Sequence, residues 1–196
     1  MGAVNDSGPP GRTTRTIEPG PAEVERAVAE LLREQSVGAL ATIGPTGAPL
    51  VAAMHIAADG LVAYFHTFTD TRKYAAIRRD PRVAYTVAHE PPGGMDAARR
   101  LRAIQVEGTA TLVDDGEEIE LAVRRSREQF PWLRDSHLYD NVRQAVAAGR
   151  QVFVRVDPVQ ALWNDNRVRL LWRRIVVFTP DGRRVAGLAD YPSAAR

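Results

Sequence analysis

A hydroxyl followed by two adjacent cations, Thr71-Arg72-Lys73, lies between an apolar run, Leu61 to Phe65, and a short helical segment, Tyr74 to Arg79. That arrangement suits a dianionic phosphate, because unpaired N–H groups at a helix mouth and fixed positive charge add there. Arginine makes a fixed two-bond contact and lysine a mobile one, so Arg72 is the stronger direct ligand of the pair. The Thr71 hydroxyl either bonds the phosphate or caps the helix. His66 and Thr67 precede the turn, and Asp80-Pro81 ends the helix.

Other chemistries find little support. His55, His66, His89 and His137 are scattered without metal-ligand spacing, so no metal site is expected. The absence of cysteine excludes a disulfide framework, a thiolate nucleophile and a thiolate metal site. No serine stands in a recognisable hydrolase context. No G-x-G-x-x-G lies between a strand and a helix, and no G-x-x-x-x-G-K-[ST] loop occurs, which argues against a dinucleotide domain and a P-loop ATPase.

The elements that must position the cationic turn are readable from periodicity. Pro21 to Gln35 carries Val24, Ala27, Val28, Leu31 and Leu32 at helical spacing behind a first-turn proline. Val37 to Ile43 and Pro49 to Ala57 read as strands joined by the turn Gly44-Pro45-Thr46-Gly47, and Ala58-Asp59-Gly60 turns into the third. Arg82 to Val87 is a strand, and His89 to Arg100, with Pro91-Pro92-Gly93-Gly94, a loop. Leu101 to Val113 is a long strand in which Gly108 marks a bulge or a close backbone approach. Glu117 to Phe130 and Tyr139 to Ala148 read as helices around an irregular Pro131–Ser136. The first of these helices presents its charges to water, while Trp132 and Tyr139 either wall a substrate pocket or belong to the core. Val152–Val156 and Val159–Trp163 are strands or one continuous strand, and Leu170 to Thr179 is the last. Six or seven antiparallel strands with intervening helices predict a mainly β fold closed into a barrel.

The 196 residues suffice for one domain, with residues 1–20, rich in Gly, Pro, Ser and Thr, as a flexible arm and residues 21–196 as the folded body. No apolar run approaches the roughly 20 residues that span a membrane, and nothing resembles a secretory core, so a cytoplasmic location is expected. The 26 basic and 24 acidic side chains interleave without forming a basic face, which argues against nucleic-acid binding.

From about Val37 to Arg174 the chain resembles the pyridoxamine 5′-phosphate oxidase family, the flavin-binding split β-barrels. The resemblance rests on three stretches: Gly44-Pro45-Thr46-Gly47-Ala48-Pro49; His66-Thr67 with Thr71-Arg72-Lys73 and Asp80-Pro81-Arg82-Val83-Ala84; and Val156-Asp157-Pro158 leading to Trp163, then Arg169-Leu170 and Arg173. It implies a homodimer with FMN at its interface, acting as an oxidoreductase on a small molecule. The cofactor contacts implied are His66, Thr67, Thr71, Arg72, Lys73, Gln105, Trp163 and Arg173, the last two reaching the flavin from the neighbouring subunit. Trp163 has core packing as its alternative, and Arg174 competes with Arg173 for the same register.

The chain also departs from the family. The oxidases place an arginine within the second strand and a lysine at its end, whereas Leu50 to Ile56 offers no cation, only His55. Ala103 stands where a glutamine is expected, with Gln105 on the same strand parity. Leu171 replaces the histidine of the terminal Arg-x-His element. These replacements argue against pyridoxine phosphate as the substrate. A deazaflavin-dependent reductase and a non-enzymatic flavin-binding protein are the alternatives.

Overall fold

The computed structural model describes residues 18–133 and 136–192. Its elements are α1 (Pro21–Glu34), β1 (Val37–Ile43), β2 (Pro49–His55), β3 (Ala57–Asp59), β4 (Val62–Phe68), α2 (Arg72–Arg79), β5 (Arg82–His89), α3 (Met95–Ala98), β6 (Arg102–Val113), α4 (Gly116–Gln129), α5 (Leu138–Ala147), β7 (Gln151–Asp165), β8 (Arg173–Phe178) and β9 (Val185–Asp190). Hydrogen bonds join seven strands in the order β2-β1-β5-β6-β7-β4-β3, with β8 and β9 extending from β7. Every pairing is antiparallel.

The connection between β2 and β3 dictates the shape. These strands occupy opposite ends of the seven-strand path, yet only Ile56 separates them in sequence. In a flat sheet the end strands would stand roughly 29 Å apart at the usual strand spacing. One intervening residue spans at most about 7 Å. The sheet therefore curls until its ends meet, giving the half-barrel of a split β-barrel fold.

Alternation along the strands builds two cores. The first fills the barrel with Leu40, Phe65, Tyr85, Val106, Trp163 and the apolar stripe of α1. The second lies outside β3, β4 and β7, where Tyr64 and Phe153 meet Val123, Phe130 and Tyr139 of the α4–α5 layer. Gln129 at the end of α4 clamps the closure point. Its amide donates to the carbonyls of Leu32, Gln35 and Ile56 at 2.7–2.9 Å and accepts from the Ala58 N–H at 2.8 Å.

Some boundaries differ from expectation, each for a local reason. The returning strand stops at His55, and Ala57–Asp59 instead pairs with β4 across a Gly60 turn with φ +65°. The segments on either side of Pro158 form one strand, since that proline, with no N–H to give, sits opposite the register shift at Gly108. A Cβ at Gly108 would lie 2.6 Å from the Asp157 carbonyl, so the expected bulge and close approach are both present. One turn of helix, α3, interrupts the 89–100 loop. The last strand begins only at Arg173, and β9 follows it. Leu170 and Leu171 belong to a turn in which the Leu171 N–H donates to Asn166 Oδ1 at 2.9 Å. Residues 1–17 of the expected arm lie outside the described residues, while Glu18 pairs with Arg169 and Arg174. No described helix is long and apolar enough to cross a membrane.

Candidate functional site

Half of β4 lacks a partner on one side. The β3–β4 ladder runs from Asp59↔Val62 to Ala57↔Tyr64 and then stops. Continuing that register would set His55 against His66, Met54 against Thr67 and Ala53 against Phe68. Among the described residues no ladder forms there, because β2 pairs with β1 alone and this half of β4 with β7 alone. The barrel is thus split along a seam whose lips are β2 and the end of β4, and α2 begins just beyond the seam's open end.

Thr71 caps α2. Its hydroxyl donates to the Phe68 carbonyl at 2.8 Å, accepts from the Tyr74 N–H at 3.4 Å and lies 3.1 Å from the buried hydroxyl of Thr67. The helix has no acidic residue in its first turn. Its four bases divide sharply. Arg79 donates to the carbonyls of Ile43 and Gly44 in the β1–β2 turn, and Arg78 lies over the Tyr74 ring at 5.8 Å. Arg72 and Lys73 have no carboxylate within ion-pair distance among the described residues, and both line a cavity of about 310 Å³. Thr71 shares that cavity with Leu40 and Thr42 of β1 and Leu50, Val51 and Ala52 of β2. Two unneutralised cations, a helix N-terminus and an open cavity together can hold a phosphate.

The other expected contacts lie elsewhere. His66 is on the outward face of β4, its ring 5.8 Å from Phe153 and 6.4 Å from Tyr139. Burial, and then the charge of nearby His55, push its imidazole below the ordinary range, against the Gln151 side chain, whose accepting oxygen raises it. Trp163 is buried in the barrel core, 1% exposed, and does not border the Arg72 cavity. Gln105 and Arg173 share the outer face of the β6–β7–β8 sheet, in the rows Gln105–Leu162–Ile175 and Ala103–Asn164–Arg173. Arg173 is exposed and stacks on Tyr191 at 4.1 Å, whereas Arg174 is neutralised by Glu18 and Asp190. Of the two, Arg173 keeps its charge available. Among the described residues no three histidine or acidic side chains converge as a metal site would require.

One group of residues escaped sequence reasoning as a unit. His55 at the end of β2 packs its ring 5.5 Å from Phe130 and 5.4 Å from Trp132, on the same face as His66. The only signal was Trp132 and Tyr139, for which pocket wall and core were equally open. Tyr139 belongs to the core, while Trp132 is 62% exposed.

The fold recurs in solved proteins. The conserved hypothetical protein Rv2991 from Mycobacterium tuberculosis is 25% identical with a TM-score of 0.61, the match covering 74% of this chain and 86% of that one. A heme binding protein from Mycobacterium smegmatis is 15% identical, TM-score 0.61, over 82% of this chain and 59% of that one. ChuZ from Campylobacter jejuni is 11% identical, TM-score 0.63, over 86% and 63%. No curated protein matches the sequence. The sequence itself matches the family described as Pyridoxamine 5′-phosphate oxidase over residues 24–162, from α1 to the far end of β7 and across the whole split barrel. With that match spanning the seam, the cationic turn and both cores, the chain belongs to the pyridoxamine 5′-phosphate oxidase family.

Proposed function

We propose that this protein is an FMN-dependent oxidoreductase that holds the flavin phosphate on Thr71, Arg72 and Lys73 and lays the rest of the cofactor along the seam. The observation that carries this reading is the pair of unneutralised cations beside a cavity, on a helix whose other two bases are already engaged. Bound there, the flavin supplies the two-electron chemistry, and the protein has only to hold and orient it. Arg72 and Lys73 neutralise the phosphate. The unladdered backbone of β2 and β4 offers donors and acceptors along the ring system.

The substrate is a small molecule other than pyridoxine phosphate. Along β2, the seam-lining Leu50, Ala52 and Met54 carry no charge to meet a second phosphate. An unpaired dianion in a partly buried pocket costs several kcal/mol.

The active form is a homodimer. The outer sheet face offers the row Val51–Ala41–Ala84–Glu107–Gln160–Val177 and, beside it, Ala53–Ala39–Thr86–Gln105–Leu162–Ile175. Small side chains dominate its β1, β2 and β5 portion, which favours close approach by a second copy. Gln105 and Arg173 on that face would then be offered to the partner's seam.

Absorbance and mass of the ligand that co-purifies with the protein test the cofactor, and sedimentation tests the dimer. FMN with a two-chain mass is expected. A deazaflavin, haem, or no FMN affinity at micromolar concentration overturns the cofactor assignment. Efficient oxidation of pyridoxine or pyridoxamine phosphate, with kcat/KM above about 10⁴ M⁻¹s⁻¹, overturns the substrate assignment.

A further inference from the structure

Helix α2 reaches both walls of the cavity. Its N-terminal end carries Arg72 and Lys73, and the opposite wall includes Leu50, Val51 and Ala52 of β2. That wall is an edge strand, laddered to β1 alone among the described residues. The β1–β5 ladder ends at Thr42↔Val83, so the hairpin tip, residues 43–49, lies beyond it. Arg79, in the last turn of α2, grips that tip. Its guanidinium donates to the Ile43 carbonyl at 2.7 Å and to the Gly44 carbonyl. Among the described residues these are the hydrogen bonds that join α2 to the hairpin. Gly44 in turn is backed by the cavity wall: a Cβ there would lie 2.8 Å from the Ala48 carbonyl and 3.3 Å from Leu50 Cγ. A cation at a helix C-terminus ordinarily serves the helix's own last carbonyls, whereas Arg79 serves those of another element.

We infer that Arg79 is a positioning residue for anion binding, a strut that holds the β1–β2 hairpin at a fixed distance from Arg72 and Lys73 and so sets the width of the cavity. The path is short and packed, from the guanidinium to Gly44, from Gly44 to Leu50, and from Leu50 across the cavity to the cations. Eight helical residues span about 12 Å, so grip and cations stand at opposite ends of one rigid rod. A narrow cavity keeps water off a bound phosphate, and the same charges attract more strongly away from bulk water. A hairpin free to swing lets water in between them. The inference rests on this cavity being the cofactor-phosphate site.

The test is a double-mutant cycle of Arg79→Ala and Arg72→Ala in the full-length protein, read by calorimetry with FMN, riboflavin and inorganic pyrophosphate. Arg79→Ala is expected to weaken both anions about fivefold or more and riboflavin less than about twofold, and to lose that effect once Arg72 is alanine, whereas sites with independent roles add. Arg79→Lys, which can still donate to a carbonyl, should recover most of the loss. In the ligand-free protein, hydrogen exchange over residues 43–52 should quicken about tenfold in Arg79→Ala, with β6 unchanged. Unchanged exchange removes the strut. Additive effects, or equal losses for FMN and riboflavin, reduce Arg79 to a structural residue and overturn the inference. If pyrophosphate shows the coupling and FMN does not bind, the strut stands and the cofactor assignment falls. If FMN binds and the cycle is additive, the strut alone falls; if neither anion binds, both fall.

Discussion

Two regions of the molecule treat charge in opposite ways. Outside β4 and β7, a set of charges is paired within the chain. The Tyr64 hydroxyl donates to Glu118 at 2.9 Å, Arg155 grips the same carboxylate at 2.8 and 3.0 Å, and the Arg155 Nε–H donates to Asp157 at 2.9 Å. At the mouth of α2, Arg72 and Lys73 face a cavity with no such partner. The first network satisfies part-buried polar groups that would otherwise cost about 1–3 kcal/mol each, so it belongs to stability. The second leaves positive charge uncompensated, among the described residues, at a place where an anion can reach it, which is the charge that the proposed phosphate contact uses. Side-chain type does not separate the two regions, since arginine serves in both. What separates them is whether the chain supplies the counter-charge.

That contrast can be broken by substitution. The largest effect on stability is expected on the fully engaged side, at Gln129. Gln129→Ala removes four hydrogen bonds and strands the Ala58 N–H and the carbonyls around Ile56. The expected loss is about 3 kcal/mol in urea denaturation, within the range for several orphaned groups, with FMN affinity changed less than threefold. A loss under about 1 kcal/mol would show that water replaces the clamp. Next comes Arg72→Ala on the open side. A charge-assisted hydrogen bond worth roughly 1.5–3 kcal/mol corresponds to about 10- to 150-fold in the FMN dissociation constant. The melting temperature of the ligand-free protein should stay the same. A change in affinity below about threefold in a folded variant would move phosphate recognition elsewhere.

The smallest effect sharpens the comparison through pH. Burial, and then the Glu118 carboxylate, push the Tyr64 phenol up to about 12. The unfolded phenol ionises near 10, so between about pH 10 and 12 the folded protein keeps a proton that the unfolded chain has lost. Stability from this group is complete below about pH 10 and falls as pH rises through the folded value. Tyr64→Phe should flatten that alkaline limb without abolishing it, because burial pushes Tyr85 and Tyr139 in the same direction. Denaturation at pH 9 and pH 11.5 measures the difference; an identical limb in the variant would place the proton elsewhere.

How far the sequence revealed these regions depended on how local each signal was. The cationic turn is contiguous, and its strand, cap and helix are encoded within a dozen residues, so Thr71, Arg72 and Lys73 were legible together with Thr67. Gly108 was legible because a glycine within a β-run has few other reasons to be there. The Gln129 clamp was not, because its partners lie 71–97 residues away and nothing in a helical glutamine announces them. The placing of His55 across the seam from His66 was hidden for a similar reason, as it depends on where the β3–β4 ladder stops. Trp163 and Arg173 show the limit of parity arguments. Neighbouring strands fix which face each side chain takes, and within this chain the tryptophan points inward and the arginine outward.

Ile56, a single buried residue between two strands, also makes the seam a wedge. Its covalent span pins the lips together at one end regardless of what binds, close to the 4.8 Å or so of a hydrogen-bonded pair. At the other end nothing joins them, and the cavity beside Arg72 opens. Such a slot sorts a ligand end for end before any specific contact is made. A hydrated tetrahedral phosphate is excluded from the closed end and is left at the wide end, where the cations are. Lengthening the Ile56 link by even two or three residues would remove the pivot and, with it, the orientation of whatever the seam holds.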